Sequence, residues 1–502
     1  MVFRGKPSKA CQRCRDRKLR CDLQRPSCSS CLRAGTRCHG YRDTGSLRMT
    51  DETQTVKSKS TIPKGEIPPK QTRKHFNLAH LPLHLEVQAR ELFFAYYIED
   101  FSRNWDFIYP YLNSKVAPDH LSLSIDAVSL AFLSHHFTSP SARNLGRLKY
   151  VSALRKMNTA LQDTSTAREA TTLDASLLLD LFEKLTKPAS ISDETQRAHI
   201  DGALALVKLR GLEHFNDVPG LRTLTRLALN ALVCSISQNH TVPAEVFDIR
   251  EHLEKFVDTK DPKFRATGVT LQVTNLMSEI ENGNLSPRDK IKKSTKLDEE
   301  FAQISHEASP YWTYRRVYIS AGGRSDRILD DFYDVYDSRM TTQMWNVLRL
   351  TRILLCEGIM EASSAAHDEE SFQYSQRAAT VIETSIREIC ASVPQMTDCG
   401  GAARHKLPPG APTTDSHGHT LSHFLDIYIL LFALYVAAWS PSCSARSRIW
   451  IARQLEWMAT HFGVKEAVIV SEAPGVRDVD AGSGRQRPWA IYRLLGSYAF
   501  AA

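Results

Sequence analysis

Six of the eleven cysteines in this chain lie within 28 residues near the N-terminus, and their order restricts the fold more than any other feature. The spacing is C-x2-C-x6-C-x6-C-x2-C-x6-C, so each of two C-x2-C pairs is followed by a single cysteine after six residues. A segment this short cannot bury enough apolar surface to fold unaided. The basic N-terminal residues are not followed by the apolar stretch of a secretory signal, so we expect a reducing compartment and metal ligation. The candidate ligands are Cys11, Cys14, Cys21, Cys28, Cys31 and Cys38.

The number of cysteines predicts a cluster of two zinc ions that share ligands. A tetrahedral zinc ion takes four ligands, so two separate sites would need more thiolates than the segment has. Six thiolates satisfy two zinc ions when two of the sulfurs bridge them. Two other arrangements stay open, namely three disulfides and one four-cysteine site with two spare thiols. Structural zinc supplies about 10–16 kcal/mol of apparent binding free energy, so we expect the metal-free segment to be unfolded.

The segment from Cys11 to Cys38 resembles the binuclear zinc cluster DNA-binding domain of fungal transcription factors. The resemblance rests on all six cysteine positions and on the run Cys-Arg-Asp-Arg-Lys-Leu-Arg-Cys at residues 14–21. It implies that Cys11 and Cys28 bridge the two zinc ions and that a short helix follows each C-x2-C pair. It also implies a cis peptide bond before Pro26. We assign residues 1–45 to this domain.

Basic residues are concentrated in the same part of the chain. Residues 1–50 hold 13 lysines and arginines against three aspartates, whereas the remaining residues hold 51 basic and 53 acidic side chains. The net charge of +8 therefore comes from the N-terminal segment that contains the six clustered cysteines. Because no apolar face accompanies this charge, we expect nucleic acid as the partner and no membrane. The resemblance implies that this nucleic acid is double-stranded DNA.

The run after the first C-x2-C pair contains the candidate DNA contacts. The resemblance assigns a guanine contact in the major groove to Lys18, which implies that the domain reads a CGG-type triplet. Arg15 and Arg20 are expected to contact phosphate, which supplies affinity without sequence information. Arg17 stays open between a base edge and phosphate. We expect Leu19 to pack between the two helices.

Residues 46–82 are rich in Thr, Ser, Lys and Pro, which predicts a flexible linker. The aliphatic residues of this stretch show no heptad, and Pro63, Pro68 and Pro69 interrupt any long helix. A homodimer would therefore have to form through the C-terminal domain. The basic run at residues 70–75 is either a nuclear-import signal or an ordinary solvated stretch.

From residue 83 to residue 502 the apolar residues recur with helical spacing, which predicts a large all-helical domain and a mainly α protein. The apolar run at 427–439 is too short to span a bilayer and predicts a buried helix. Residues 282–296 are expected to form a loop. Residues 199–211 are similar to a segment of the fungal-specific regulatory domain, which implies a helical regulatory role.

The C-terminal domain shows no enzymatic motif, and we predict that the protein is not an enzyme. It has no phosphate-binding glycine loop, no G-x-S-x-G and no H-E-x-x-H. His417, His419 and His423 have a spacing that a metal site could use, but no carboxylate pattern accompanies them and we favour no metal there. His135 and His136 are expected to cap or expose a helix end.

These patterns predict a nuclear, sequence-specific DNA-binding regulator that acts with the RNA polymerase II transcription machinery. The alternative is a zinc-scaffolded interaction protein or an RNA binder. RNA recognition usually places aromatic side chains among the basic residues, and residues 11–38 contain no Phe, Tyr or Trp. Control of a metabolic or secondary-metabolite gene cluster is suggested by association only.

Overall fold

The computed structural model describes residues 9–41, 84–112, 117–186, 193–283, 285–308, 310, 312–319, 326–398, 419–476, 488–495 and 498. The chain divides into two units, residues 1–73 and residues 74–502. The predicted linker and the basic run at 70–75 lie outside the described residues.

The first unit contains two short helices, α1 (Gln12–Asp16) and α2 (Ser29–Arg33). Each helix starts at a C-x2-C pair, because Cys11 and Cys28 are the N-cap residues and the second cysteine of each pair lies in the first turn. The prediction of a small module of two short helices is confirmed.

The second unit is mainly helical, as predicted. It opens with α3 (Leu85–Leu92), a π-helical stretch (Phe93–Phe101) and a 3₁₀ stretch (Arg103–Tyr111). The following helices are α4 (Asp119–Phe137), α5 (Pro140–Gln162), α6 (Thr164–Ala167), α7 (Ala170–Thr186), α8 (Asp193–Arg210), α9 (Val218–Gln238), α10 (Ala244–Leu253), α11 (Pro262–Glu281) and α12 (Pro287–Glu307). After a 3₁₀ turn at Leu212–His214 and two strands, described below, the chain continues with α13 (Arg339–Ala366), α14 (Glu369–Ala391), α15 (Val393–Thr397), α16 (Leu421–Trp439), α17 (Ala445–His461), α18 (Lys465–Glu472) and α19 (Trp489–Leu495).

Polar caps and prolines start many of these helices. The side chains of Ser139, Asp217 and Asp261 each accept a hydrogen bond from a backbone N–H in the first turn of the helix that follows. The loop predicted at 282–296 is wrong from residue 287 onward, because the next helix begins there. Ser286 caps α12, whose first residue is Pro287. Proline fits at the first position of a helix because the N–H groups there have no intrahelical acceptor, so its missing N–H costs no hydrogen bond.

The all-helical prediction needs one correction, since the unit also contains a two-stranded antiparallel sheet. Strand β1 (Tyr314–Tyr318) pairs with β2 (Phe332–Tyr336). Both strands are rich in aromatic residues, which favour strands, but five residues are too few to show a clear alternation in sequence. An ion pair crosses the sheet, with Arg316 Nε at 2.8 Å from Asp334 Oδ1.

Helix α16 lies at the centre of the second unit, as the apolar run predicted. It contacts α13, α14, α17, α18 and α19, and it is apolar on all sides. By length and composition it is the one helix among the described residues that could cross a membrane, but 89% of its most apolar window is buried inside the unit. This is the position of a core helix.

Candidate metal centre and nucleic-acid interface

The N-caps and first turns of α1 and α2 bring the cysteine sulfurs together. The described residues contain two groups of side chains positioned to hold a metal ion, and both consist of cysteines. One group is Cys11, Cys14, Cys21 and Cys28, and the other is Cys11, Cys28, Cys31 and Cys38. Within each group the sulfurs lie within 4.8 Å of one another. Cys11 and Cys28 are common to both groups, which is the arrangement that two bridged metal ions require.

The sulfur separations fit tetrahedral zinc. The Sγ atom of Cys28 is 3.7 Å from the Sγ atoms of both Cys11 and Cys14, and Cys31 Sγ is 3.7 Å from Cys11 Sγ. Four sulfurs about 2.3 Å from one zinc ion would lie about 3.8 Å apart. No disulfide joins these six described cysteines.

The electrostatics of the thiols differ across the cluster. Burial raises the pKa of Cys14 to about 11. Burial also acts on Cys28, but hydrogen bonds from the Cys31 N–H and from neighbouring thiols outweigh it and lower its pKa to about 6. Zinc binds the thiolate form, so binding to this group displaces protons.

The two halves of the module repeat each other at an offset of 17 residues. Leu19 N–H donates to the Cys14 carbonyl at 2.8 Å, and Thr36 N–H donates to the Cys31 carbonyl at 3.2 Å. Each helix thus ends in a left-handed residue, at Lys18 with φ of 53° and at Gly35 with φ of 57°. Glycine adopts this backbone freely, whereas a side chain costs about 1 kcal/mol. The first half therefore keeps a lysine where the local geometry favours glycine.

Polar contacts join the two halves beyond the sulfurs. Arg13 Nη1 donates to the Ser30 carbonyl at 3.1 Å, and Ser30 Oγ donates to the Arg20 carbonyl at 3.0 Å. Hydrogen bonds from Ser29 lower the pKa of the Asp22 carboxyl group. The peptide bond before Pro26 is cis, so this expectation is confirmed. Sequence reasoning missed Arg13, because nothing in the cysteine spacing shows which arginine faces the second half.

The candidate DNA contacts lie on and just after α1. Arg17, Lys18 and Arg20 are exposed. Arg15 is half-buried, and its guanidinium donates to the Ala10 carbonyl. The expectation that Leu19 packs between the helices is wrong, because its side chain is 45% exposed. The buried side chains of the module are cysteines.

Among the described residues of the second unit, no group of histidines is positioned to hold a metal ion. His423 is buried and completes a capping box, since its Nδ1 accepts from Thr420 N–H at 3.0 Å. The ring of His419 packs 4.4 Å from that of Phe462, and His417 lies outside the described residues. His135 and His136 were expected to cap or expose a helix end; they lie in the last turn of α4, where both are half-buried and pack against aromatic rings. Their Nε2 atoms lie 3.0 and 2.7 Å from the hydroxyls of Tyr428 and Tyr498.

Comparison with known proteins identifies the first unit. Residues 9–46 match the fungal Zn(2)-Cys(6) binuclear cluster domain. The chain therefore carries a zinc-binding and DNA-binding domain of the kind found in fungal transcription regulators. No curated protein and no solved structure matches the chain. The similarity of residues 199–211 to the fungal-specific regulatory domain stays a prediction.

Proposed function

We propose that this protein is a nuclear transcription factor that reads CGG-type triplets at RNA polymerase II promoters. The observation that carries the proposal is Lys18, an exposed lysine held in a left-handed conformation at the C-terminal end of α1. A strained residue at an exposed end of a small module supports a role outside folding. Its charge lies within the matched DNA-binding domain.

Two zinc ions per chain would hold this module. Cys14 and Cys21 would complete the ligand set of one ion, and Cys31 and Cys38 that of the other, with Cys11 and Cys28 bridging. Zinc supplies no reaction here and acts as a structural cross-link. The thiolates leave the cluster negatively charged, and Arg13 partly offsets this charge, since its Nη1 lies 4.0 Å from Cys31 Sγ.

The end of α1 offers both donors and acceptors for a G·C-rich site. The Lys18 ammonium can donate to the O6 and N7 acceptors of guanine in the major groove. Among the described residues, no hydrogen bond ends on the carbonyls of Arg17 or Lys18, so these oxygens can accept from cytosine N4.

The remaining cations would position the module on phosphates. Arg20 is exposed beside Lys18, and Arg17 can reach either a phosphate or a base edge. One guanidinium nitrogen of Arg15 donates a hydrogen bond to the Ala10 carbonyl, and the other nitrogens would contact phosphate. These contacts give affinity that falls with salt but carry no sequence information.

Two substitutions separate base reading from phosphate binding. Lys18→Ala should lose roughly 1 kcal/mol of discrimination between a CGG probe and a scrambled duplex, because one ammonium contact lies at the low end of base-contact energies. Arg20→Ala should weaken both probes equally and flatten the slope of log K against log salt by about 0.9. Arg37 lies 17 residues after Arg20, at the equivalent position in the second half of the module. Arg37→Ala is therefore the matched control for the loss of one positive charge. Equal losses on both probes for Lys18→Ala would move Lys18 to the backbone contacts.

The alternative function, an RNA binder or a zinc-scaffolded interaction module, predicts a different result in the same assay. It would give equal affinity for CGG and scrambled duplexes in the unmodified protein, with tighter binding to single-stranded RNA or none to nucleic acid. Homodimerisation through the helical domain and control of a metabolic gene cluster belong to the same proposal. Probes whose half-site spacing is varied one base pair at a time test the dimer.

A further inference from the structure

The helical unit contains a partly open cavity of about 390 Å³ between α9, α11 and α13. Trp489 and Tyr492 of α19 and Trp439 of α16 contribute to its wall. Most of the lining is aliphatic or aromatic, and its volume falls in the range of about 300–1,000 Å³ found for small-molecule sites. A cavity of this kind binds a molecule with an apolar body.

Two cations line this apolar cavity without an anionic partner. Arg226 of α9 is 5% exposed, and its buried Nε has no hydrogen-bond partner. Its guanidinium lies 4.7 Å from the ring of Trp105, and among the described residues it forms no ion pair. Lys263 of α11 lines the same cavity and likewise has no ion pair in the described part of the chain. An unpaired charge in such a place is costly, so it marks a place for an anion.

Other buried arginines of this unit show how unusual Arg226 is. Arg339 and Arg349 each have a carboxylate within 3.1 Å of Nε, in the pairs Arg339–Asp426 and Arg349–Glu388, and Arg448 donates to four backbone carbonyls. The other buried guanidinium groups in the described part of the chain thus have carboxylate or carbonyl partners. Arg226 has neither among the described residues, and it lines the cavity.

The acidic groups near the two cations already have partners. Asp180 is 2.6 Å from Lys184 Nζ and also accepts from Asn230. Asp261 accepts from Phe264 N–H at 2.9 Å and caps α11. Burial lowers the pKa of Lys263 to about 8, and the charges of Arg226 and Arg222 add to this while Asp261 opposes it.

The lining as a whole also favours an anion. It contains five basic side chains, of Lys184, Arg226, Lys263, Lys290 and Arg493, and two acidic ones, Glu357 and Glu361. Glu357 accepts a hydrogen bond from Ser440. Most of the lining surface is apolar, so an anion with an apolar body fits it better than a strongly hydrated polyanion does.

We propose that this cavity binds a small organic acid, with its carboxylate held by Arg226 and Lys263 and its apolar body against the walls of α9, α11 and α13. The site lies in the helical unit and does not depend on which DNA sequence the zinc module reads.

The first test uses the full zinc-loaded chain and the fluorescent aromatic anion 8-anilinonaphthalene-1-sulfonate as a probe. Dodecanoate should displace the probe at about tenfold lower concentration than dodecanol, since one charge-assisted hydrogen bond is worth that factor. Lys263→Met should weaken dodecanoate binding about tenfold and should not lower the melting temperature, because it removes a half-buried charge that has no ion pair among the described residues. Lys260→Met, an exposed neighbour outside the lining, is the matched control. Equal displacement by acid and alcohol, or unchanged affinity in Lys263→Met, would overturn the proposal.

The second test fills the cavity without touching a charge. Gly358 of α13 lines the cavity, and a Cβ atom added there meets no atom within 4 Å. Gly358→Phe should therefore fold and abolish displaceable probe binding. Gly202→Phe in α8 is the control, because an added Cβ there also meets nothing within 4 Å and Gly202 is not in the lining. If Gly358→Phe folds and binds the probe as the unmodified protein does, the probe lies elsewhere and the assignment of the cavity is wrong.

Discussion

In residues 9–41 the fully buried side chains are four cysteines, whereas the leucines of the same module, Leu19, Leu23 and Leu32, are 44–64% exposed. In the helical unit the buried side chains are large and apolar, with Phe93 and Phe432 at 0–1% exposure. The two regions of the chain are thus stabilised in different ways. The short module depends on metal ligation, and the long unit depends on the burial of apolar surface.

Removal of zinc should produce the largest difference between the two regions. A chelator should unfold the module, because it loses about 10–16 kcal/mol of apparent binding free energy. The helical unit should keep its circular dichroism and its melting temperature. Limited proteolysis followed by mass spectrometry measures both, with cleavage expected inside residues 9–41 only after chelation. Cleavage of the module at the same rate with and without chelator would contradict the account.

Truncation of a side chain in the apolar core should destabilise the helical unit and leave the zinc module unchanged. Leu430→Ala in α16 removes a fully buried side chain and should cost about 2–5 kcal/mol of unfolding free energy in the helical unit. The zinc content should stay unchanged. Leu148→Ala, whose side chain is 66% exposed, is the control and should change stability by less than about 0.5 kcal/mol. Chemical denaturation followed by helical signal measures the two costs.

Acid should weaken the helical unit through two half-buried histidines. Burial lowers the pKa of both His135 and His136 in the folded state, although Glu466 opposes this at His135. The unfolded chain takes up these protons near pH 6.5, so unfolding binds protons and its free energy falls as the pH drops below that value. We expect a loss of about 1 kcal/mol per histidine for each pH unit.

Melting temperatures at pH 7.5 and pH 5.5 check this dependence. His136→Gln should flatten the difference between the two pH values, and His240→Gln, at an exposed position, should leave it unchanged. An equal pH dependence in all three proteins would assign the acid sensitivity to other groups.

Sequence reasoning worked best where one chemical rule decides the structure. Six cysteines at fixed spacing predict a metal-held module, and the structure brings all six sulfurs into two groups that share Cys11 and Cys28. The same reasoning failed for Leu19, because an apolar residue was assumed to be inside. In a module whose interior is filled by sulfur, that rule does not apply.

In the helical unit the sequence predicted the positions of helices better than the contacts of individual side chains. The apolar run at 427–439 predicted α16 clearly, but the loop predicted at 282–296 overlaps the start of α12 at Pro287. The packing of His135 and His136 depends on tyrosines that come much later in the chain, which no local pattern reveals. The unpaired state of Arg226 is likewise visible only once α9, α11 and α13 are assembled.

The central claim is that a zinc cluster replaces a hydrophobic core in the first unit, and native mass spectrometry of the full chain tests it most directly. The account predicts two zinc ions per chain and six reduced cysteines between Cys11 and Cys38. Cys28→Ser should reduce the zinc content, whereas Cys443→Ser in the helical unit should retain both ions. One zinc ion in the unmodified protein, or three disulfides and no metal, would contradict the claim.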